Sequence, residues 1–184
     1  MHSELAFIFS PCYNYDMIRV YYTLEKTDSR KFLERIFTEY LRLPAPDLVF
    51  NQYGKPYLRG NEVYFNLSHS GSLTAVAVSE AEIGLDCEKI KNRSYHSVLK
   101  SFSEREQQEI DTPESFLRHW TIKESFVKFL GTSIAKELKE LEYFGQTLYL
   151  KNEEQHVSLL TEKIEEYLLT VCTLAPQEIT YIQV

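Results

Sequence analysis

Apolar residues recur at helical spacing from Ser29 to Leu41, where Phe32, Leu33, Ile36, Phe37, Tyr40 and Leu41 line one face and Arg30, Lys31, Glu34 and Arg35 the other. This predicts an amphipathic helix ended by Pro44 and Pro46. Upstream, Leu5 to Phe9 predicts a short buried strand. Downstream, the turn-like segment Asn51 to Pro56 leads to a strand over Val63 to Ser68. Successive strand side chains alternate, so Val63, Phe65 and Leu67 share one face while Tyr64, Asn66 and Ser68 share the other. A turn at Gly71 returns the chain through Leu73 to Val78. The strand predicted from Ile83 to Glu88 sets Ile83, Leu85 and Cys87 against Gly84, Asp86 and Glu88. Two carboxylates therefore leave the same face. A capping box, Ser103-x-x-Glu106, opens one helix, and Thr112 with Pro113 opens a longer one that stops near Gly131. Shorter strands are predicted near Thr147 to Leu150, Val157 to Leu160 and Tyr167 to Leu174, giving a mixed α and β chain.

The long helix carries an anomaly. With Phe116 at zero and a 3.6-residue period, Val127 falls at about 20°, Trp120 at about 40° and Leu130 at about 320°, which defines a buried stripe. Lys123 falls at about 340°, inside that stripe. An ammonium there must snorkel or find an anionic partner. Glu124 and Lys128 flank the stripe one turn apart, as either a surface ion pair or a pair reaching a metal, a proton or a phosphate.

Composition narrows the class. The 184 residues are 43% hydrophobic, 14% aromatic and 26% charged, which suits one folded unit with a substantial core. The net charge of −7 disfavours a broad nucleic-acid or anionic-membrane surface, so any anionic ligand binds locally. Cys12, Cys87 and Cys172 are widely spaced and form no metal-ligand pattern, which fits a reducing cytoplasm. The N-terminal stretch does not read as a signal peptide, and no run is long enough to span a membrane.

Two clusters can carry chemistry. Asp86 and Glu88, two residues apart on a strand, stand roughly 7 Å from one another and can flank a small divalent cation, magnesium being the natural candidate; a solvated strand edge is the alternative. Gly54-Lys55-Pro56 and Asn66-Leu67-Ser68-His69-Ser70 form a candidate anion cradle in which Lys55, Ser68 and His69 are donors, although a histidine such as His69 taken alone is more often structural.

Taken in order, the motifs GKPYL, FNLSHSG, IGLDCEKI and HWTIKESFVKFLG resemble the 4'-phosphopantetheinyl transferase superfamily, in its larger surfactin-synthetase-activating (Sfp) type, over about Phe50 to Gly131. The resemblance implies an α+β fold of two pseudo-twofold-related α/β halves. Each half is a small, mostly antiparallel sheet with helices, and a ligand cleft lies between them. It implies a first half over 1–85 and a second, carrying the metal site and catalytic helix, over 86–184, as one compact unit that suffices as a monomer. The implied reaction moves the phosphopantetheine arm of coenzyme A to a serine of an acyl or peptidyl carrier protein and releases adenosine 3',5'-bisphosphate. A coenzyme A binding module without turnover and a metal-dependent phosphodiesterase are the alternatives.

Carried over by position, Asp86, Glu88 and Glu124 would hold magnesium, Glu124 would act as general base, and Lys128 would neutralise the pyrophosphate. Gly54, Lys55, Pro56, Ser68 and His69 would hold the nucleotide, with Lys123 also near the coenzyme A, while Trp120 would orient the helix by packing. The segment from Lys89 to Phe102, with Arg93, Tyr95, His96, Val98, Leu99 and Lys100, would receive the carrier protein, unless Val98, Leu99 and Phe102 fill a core. The chain departs from the family in its sparse basic residues before the GKP turn, where Lys26, Arg30 and Lys31 are the candidates. Cys87 stands at a usually aliphatic position and is expected to pack rather than ligate.

Overall fold

The computed structural model describes residues 17–60, 63–92 and 94–184. The expected strand at Leu5 to Phe9, Cys12 and Arg93 lie outside them. One sheet contains β1 (Ile18–Thr23), β4 (Tyr64–Ser70), β5 (Leu73–Ser79) and β12 (Ile179–Gln183) in the order β12-β1-β5-β4. A second contains β6 (Gly84–Lys89), β10 (Ser158–Ile164) and β11 (Tyr167–Thr173) in the order β10-β11-β6. Two small antiparallel sheets complete the fold: β2 (Leu48–Phe50) with β3 (Pro56–Leu58), and β7 (Leu141–Phe144), β8 (Thr147–Leu150) and β9 (Glu153–Glu154).

Strand parity stacks these elements into layers. Val20, Ala75 and Ala77 of the first sheet meet Leu85, Cys87, Leu169 and Val171 of the second in one core. On the opposite face of the first sheet, Tyr21, Phe65, Val76 and Val78 pack on Phe32, Leu33, Ile36 and Phe37. These come from α1 (Ser29–Arg35) and the π turn Ile36–Tyr40 that continues it, in which the Leu41 N–H donates to the Ile36 carbonyl at 3.0 Å. The outer face of the second sheet is covered by α4 (Pro113–Leu130), capped by Thr112 and ended by Gly131 in the left-handed region. The order is helix, sheet, sheet, helix. Cys87 is in the inter-sheet core, and burial pushes its thiol up to about 12.

The division expected at residue 85 falls inside β6, and β12 joins the sheet of the first half by parallel pairing with β1. The last strand of the chain thus completes the sheet of its beginning. Among the described residues no helix is long and apolar enough to cross a membrane.

Gly84 lets α4 lie directly on β6. A Cβ there would stand 1.9 Å from the Ser125 carbonyl and 2.6 Å from the Phe129 nitrogen. The helix is also buried more widely than a single stripe, through Leu117, Thr121, Ile122, Ser125 and Phe126 as well as Phe116 and Val127. Leu130 departs from the expected stripe and is 44% exposed.

Lys123 is 0% exposed, and its Nζ lies 2.6 Å from Glu106 Oε1 and 2.9 Å from Oε2. Glu106 is the capping-box residue of α3 (Glu104–Glu109), which follows the single turn α2 (His96–Leu99), and it also accepts the Tyr143 N–H at 3.0 Å. The Lys123 ammonium sits 4.1 Å from the Phe102 ring centroid. Burial lowers its pKa, opposed by Glu106. One ion pair thus ties α3, α4 and β7 together.

Two stability outcomes follow from these contacts. Lys123→Met strands a buried carboxylate and should lower the free energy of unfolding by about 3–5 kcal/mol in urea melts, with Lys123→Met/Glu106→Leu recovering part of the loss. Gly84→Ala should cost at least the 1–3 kcal/mol typical of overpacking, roughly the upper end, and displace α4; an unchanged melt would refute the close approach.

Candidate active site

The site is built where β4 and β6 meet through side chains instead of a backbone ladder. Asn66, Ser68 and Ser70, on one face of β4, present oxygens two residues apart. Asn66 Oδ1 accepts the Leu85 N–H at 2.8 Å, Ser68 Oγ the Cys87 N–H at 3.2 Å and Ser70 Oγ the Lys89 N–H at 3.1 Å. These side chains complete the outer edge of β6, whose other edge pairs with β11. The intervening residues Gly84, Asp86 and Glu88 face α4, as the alternation predicts.

The same hydroxyls orient the acids. Ser68 Oγ donates to Asp86 Oδ1 at 3.0 Å, and Ser70 Oγ donates to Glu88 Oε2 at 2.8 Å. From α4, Lys128 Nζ donates to Asp86 Oδ1 at 2.7 Å and to Ser68 Oγ at 3.1 Å. An ammonium has three protons, so one remains for a ligand, and the Lys128 side chain is 28% exposed. Burial disfavours the Lys128 charge, but Asp86 and Glu124 overcome this and raise its pKa.

Among the described residues, Asp86 Oδ2 is buried without a hydrogen-bond partner. Burial pushes the Asp86 carboxyl above the usual range, opposed by Lys128 and Ser68. Glu124, half-buried on the turn of α4 before Lys128, is raised to about 7 by burial, then by Asp86 and Glu88, against Lys128. Three acids and one ammonium leave uncompensated negative charge. An orphaned carboxylate oxygen beside two further carboxylates has the donor chemistry of a hard divalent cation site. Among the described residues, however, no three His, Cys, Asp or Glu side chains stand close enough to enclose an ion.

Other expected residues are placed differently. Lys123, with its ammonium sealed against Glu106, is not available to coenzyme A. Lys55 is 7% exposed, and its Nζ pairs with Glu82 and donates to the carbonyls of Ile83 at 3.2 Å and Phe129 at 3.3 Å. It does not project into a cradle. Ser68 is likewise taken up by Asp86, Cys87 and Lys128, whereas His69 is exposed on the opposite face of β4. Gly54 has φ +86° with open space beside its Cα, and Pro56 opens β3. A groove of about 370 Å3 lies between α1 and the β2–β3 hairpin, lined by Arg30, Phe50, Pro56 and Leu67 among others. Phe50 is 65% exposed there.

Trp120 packs against Phe116 and Phe102, with centroids 6.2 and 6.4 Å away. In the connection after β6, Phe102 is core and Leu99 packs beside it, while Val98 remains exposed. Sequence reasoning missed Asn51, Glu82 and Glu106, the partners of the buried charges and of the α4 terminus. Glu106 was visible only as a capping residue. Asn66 and Ser70 belong to the expected anion cradle, but their side chains accept the β6 backbone N–H groups instead.

The 4'-phosphopantetheinyl transferase superfamily profile matches residues 82–172, which include β6 and α4. The 4'-phosphopantetheinyl transferase psf-1 of Bacillus pumilus is 30% identical over 167 residues, covering 83% of this chain and 72% of that protein. The 4'-phosphopantetheinyl transferase gsp of Aneurinibacillus migulanus is 27% identical, covering 79% and 65%. The 4'-phosphopantetheinyl transferase AcpT of Salmonella typhi is 39% identical over 100 residues, covering 49% and 52%, so this chain matches about half of that relative. With Asp86, Glu88, Glu124 and Lys128 inside the matched region and 30% identity to psf-1 over 83% of its length, this chain belongs to the 4'-phosphopantetheinyl transferase superfamily.

Proposed function

We propose that this transferase moves the 4'-phosphopantetheine arm of coenzyme A to a serine hydroxyl of an acyl or peptidyl carrier protein and releases adenosine 3',5'-bisphosphate. The observation that carries the reading is the cluster in which buried Asp86 of β6 meets half-buried Lys128 and Glu124 of α4. Serine is a poor nucleophile while protonated, and a pyrophosphate repels nucleophiles until its charge is neutralised. Glu124, with a carboxyl poised at about 7, suits the base. It takes the serine proton as the serine oxygen attacks the phosphorus bearing the pantetheine arm. The bond from that phosphorus to the bridging oxygen breaks, and the nucleotide leaves. Lys128 presents its free N–H to the pyrophosphate, held in place by Asp86 and Ser68.

A divalent cation, for which magnesium is our choice, would be anchored by Asp86 Oδ2, and Glu88 and Glu124, which do not enclose an ion where they now stand, would have to turn in toward it. Such an ion, when bound, neutralises pyrophosphate charge and supplies Lewis acidity at the reacting phosphoryl group. The nucleotide is assigned to the groove beside Phe50 and Pro56. Arg30 and Lys31 of α1 and the exposed His69 are the candidates for its phosphates, and the Tyr53 to Pro56 backbone for its base. Lys55 and Lys123 are left out of that set because their ammonium groups are already satisfied. The exposed Lys91, His96, Val98 and Lys100 form the surface assigned to the carrier protein. A monomer in the reducing cytoplasm suffices, in keeping with the free thiols of Cys87 and Cys172.

Given coenzyme A, magnesium and an apo carrier protein, the chain should convert the carrier serine to its phosphopantetheine form, read as a mass increase. Coenzyme A binding without conversion of any carrier class would contradict the reading, as would hydrolysis of coenzyme A without a carrier. Glu124→Gln should abolish transfer while coenzyme A still binds. Because the base acts ionised, kcat/KM should rise with pH to a plateau, with its acid limb at about 7 or lower when a cation is bound. Near-normal turnover by Glu124→Gln would remove Glu124 from this role.

A further inference from the structure

The β2–β3 turn belongs to the first half of the chain, yet its polar groups are directed at the end of α4. Asn51 Oδ1 accepts the N–H groups of Tyr53 at 2.9 Å and Lys55 at 3.0 Å, which fixes the turn. Asn51 Nδ2 then donates to the Gly131 carbonyl at 2.6 Å. Lys55 Nζ donates to the Phe129 carbonyl at 3.3 Å, to the Ile83 carbonyl at 3.2 Å and to Glu82. Its three protons thus meet three acceptors, and none is left for a phosphate.

Helix C-termini leave carbonyls unsatisfied and favour a cation, so these two side chains complete α4 from outside it. The fit is close. A Cβ on Gly131 would lie 2.6 Å from the Tyr57 hydroxyl and 3.0 Å from Asn51 Nδ2. The Lys55 ammonium also lies 5.3 Å from the Tyr57 ring centroid. Lys128 immediately precedes Phe129, and the same turn of helix rests on Gly84.

We propose that Lys55, together with Asn51, is a positioning residue that clasps the C-terminal carbonyls of α4 to the β2–β3 turn and thereby sets the reach of Lys128 toward Asp86. The inference rests on the transferase reading of that site. Lys55 bridges three segments that have to agree for the site to form: the turn, the Glu82–Ile83 entry to β6 that leads to Asp86, and the end of α4 that carries Lys128. A misplacement of about 1 Å at such a distance from the chemistry can cost on the order of 100-fold in rate.

The experiment compares Lys55→Met, Lys55→Arg and Asn51→Ala in the full chain. It measures kcat in the carrier assay and the Kd of adenosine 3',5'-bisphosphate by calorimetry. Lys55→Met and Asn51→Ala should each lower kcat by about tenfold or more, with the Kd within about twofold of the parent, and Lys55→Arg should recover part of the rate. Asn51 carries no charge, so its matching effect separates positioning from charge neutralisation. A Kd raised about tenfold by Lys55→Met with kcat unchanged, or an inert Asn51→Ala, would overturn the proposal. If Lys55→Met does not fold, Asn51→Ala and Lys55→Arg decide between the same outcomes. If the parent modifies no carrier, the transferase reading fails on its own. The clasp is then read from the 15N resonance of the Lys128 ammonium, which Asn51→Ala should shift and which an unchanged spectrum would show to be independent of the turn.

Discussion

Three side-chain oxygens on β4 stand where a neighbouring strand would normally supply carbonyls. Asn66, Ser68 and Ser70 accept the N–H groups of Leu85, Cys87 and Lys89 in turn, so β6 is held against β4 without belonging to its sheet. The arrangement lets one sheet fold over the other around a shared apolar core and fixes the register of β6. Register decides function here. A slip by one residue would turn Asp86 and Glu88 into the core and Cys87 toward α4. The serine hydroxyls accept from the backbone and donate to these same carboxylates, so the joint that closes the fold also aims the acids.

The chain sorts its buried lysines by what surrounds them. Lys123 faces the two oxygens of Glu106 and the Phe102 ring, and Lys55 faces Glu82 and two carbonyls. Burial lowers the pKa of both, while their partners retain the charge. Lys128 is different. It lies against Asp86 in a cluster with excess negative charge, its pKa is raised, and it keeps a proton to donate. Completed ion pairs hold the frame, and an incomplete one is left where chemistry needs it.

Local signals were legible in the sequence. The alternation in β4 and β6 placed Asp86 and Glu88 on one face, and the Ser103–Glu106 capping box, the Thr112–Pro113 start and the Gly131 stop appear where their residues stand, although the second capping box, Thr112 with Ser115, went unread. Non-local pairing was not legible. β12 is a strand because it lies parallel to β1, which is distant in sequence, and neither segment announced the other. β2, β3 and β7 are short and gain their partners only in the folded chain. The predicted strand from Val157 to Leu160 runs on to Ile164 because β11 offers it seven residues of partner. Angular reasoning required an anion for Lys123 but could not find Glu106, since helical periodicity says nothing about neighbouring elements. For Lys55 the sequence showed a cation in a rigid turn, and only the fold showed which acceptors surround it.

Amide hydrogen exchange at Leu85, Cys87 and Lys89 tests the joint most directly. All three N–H groups should exchange as slowly as the core of β5, and Ser68→Ala should accelerate Cys87 by about tenfold or more while Leu85 keeps its protection. Exchange of all three in the parent chain at the rate of an open strand edge would contradict the account, because the β4 side chains would then not be what holds the acids of β6 beneath α4.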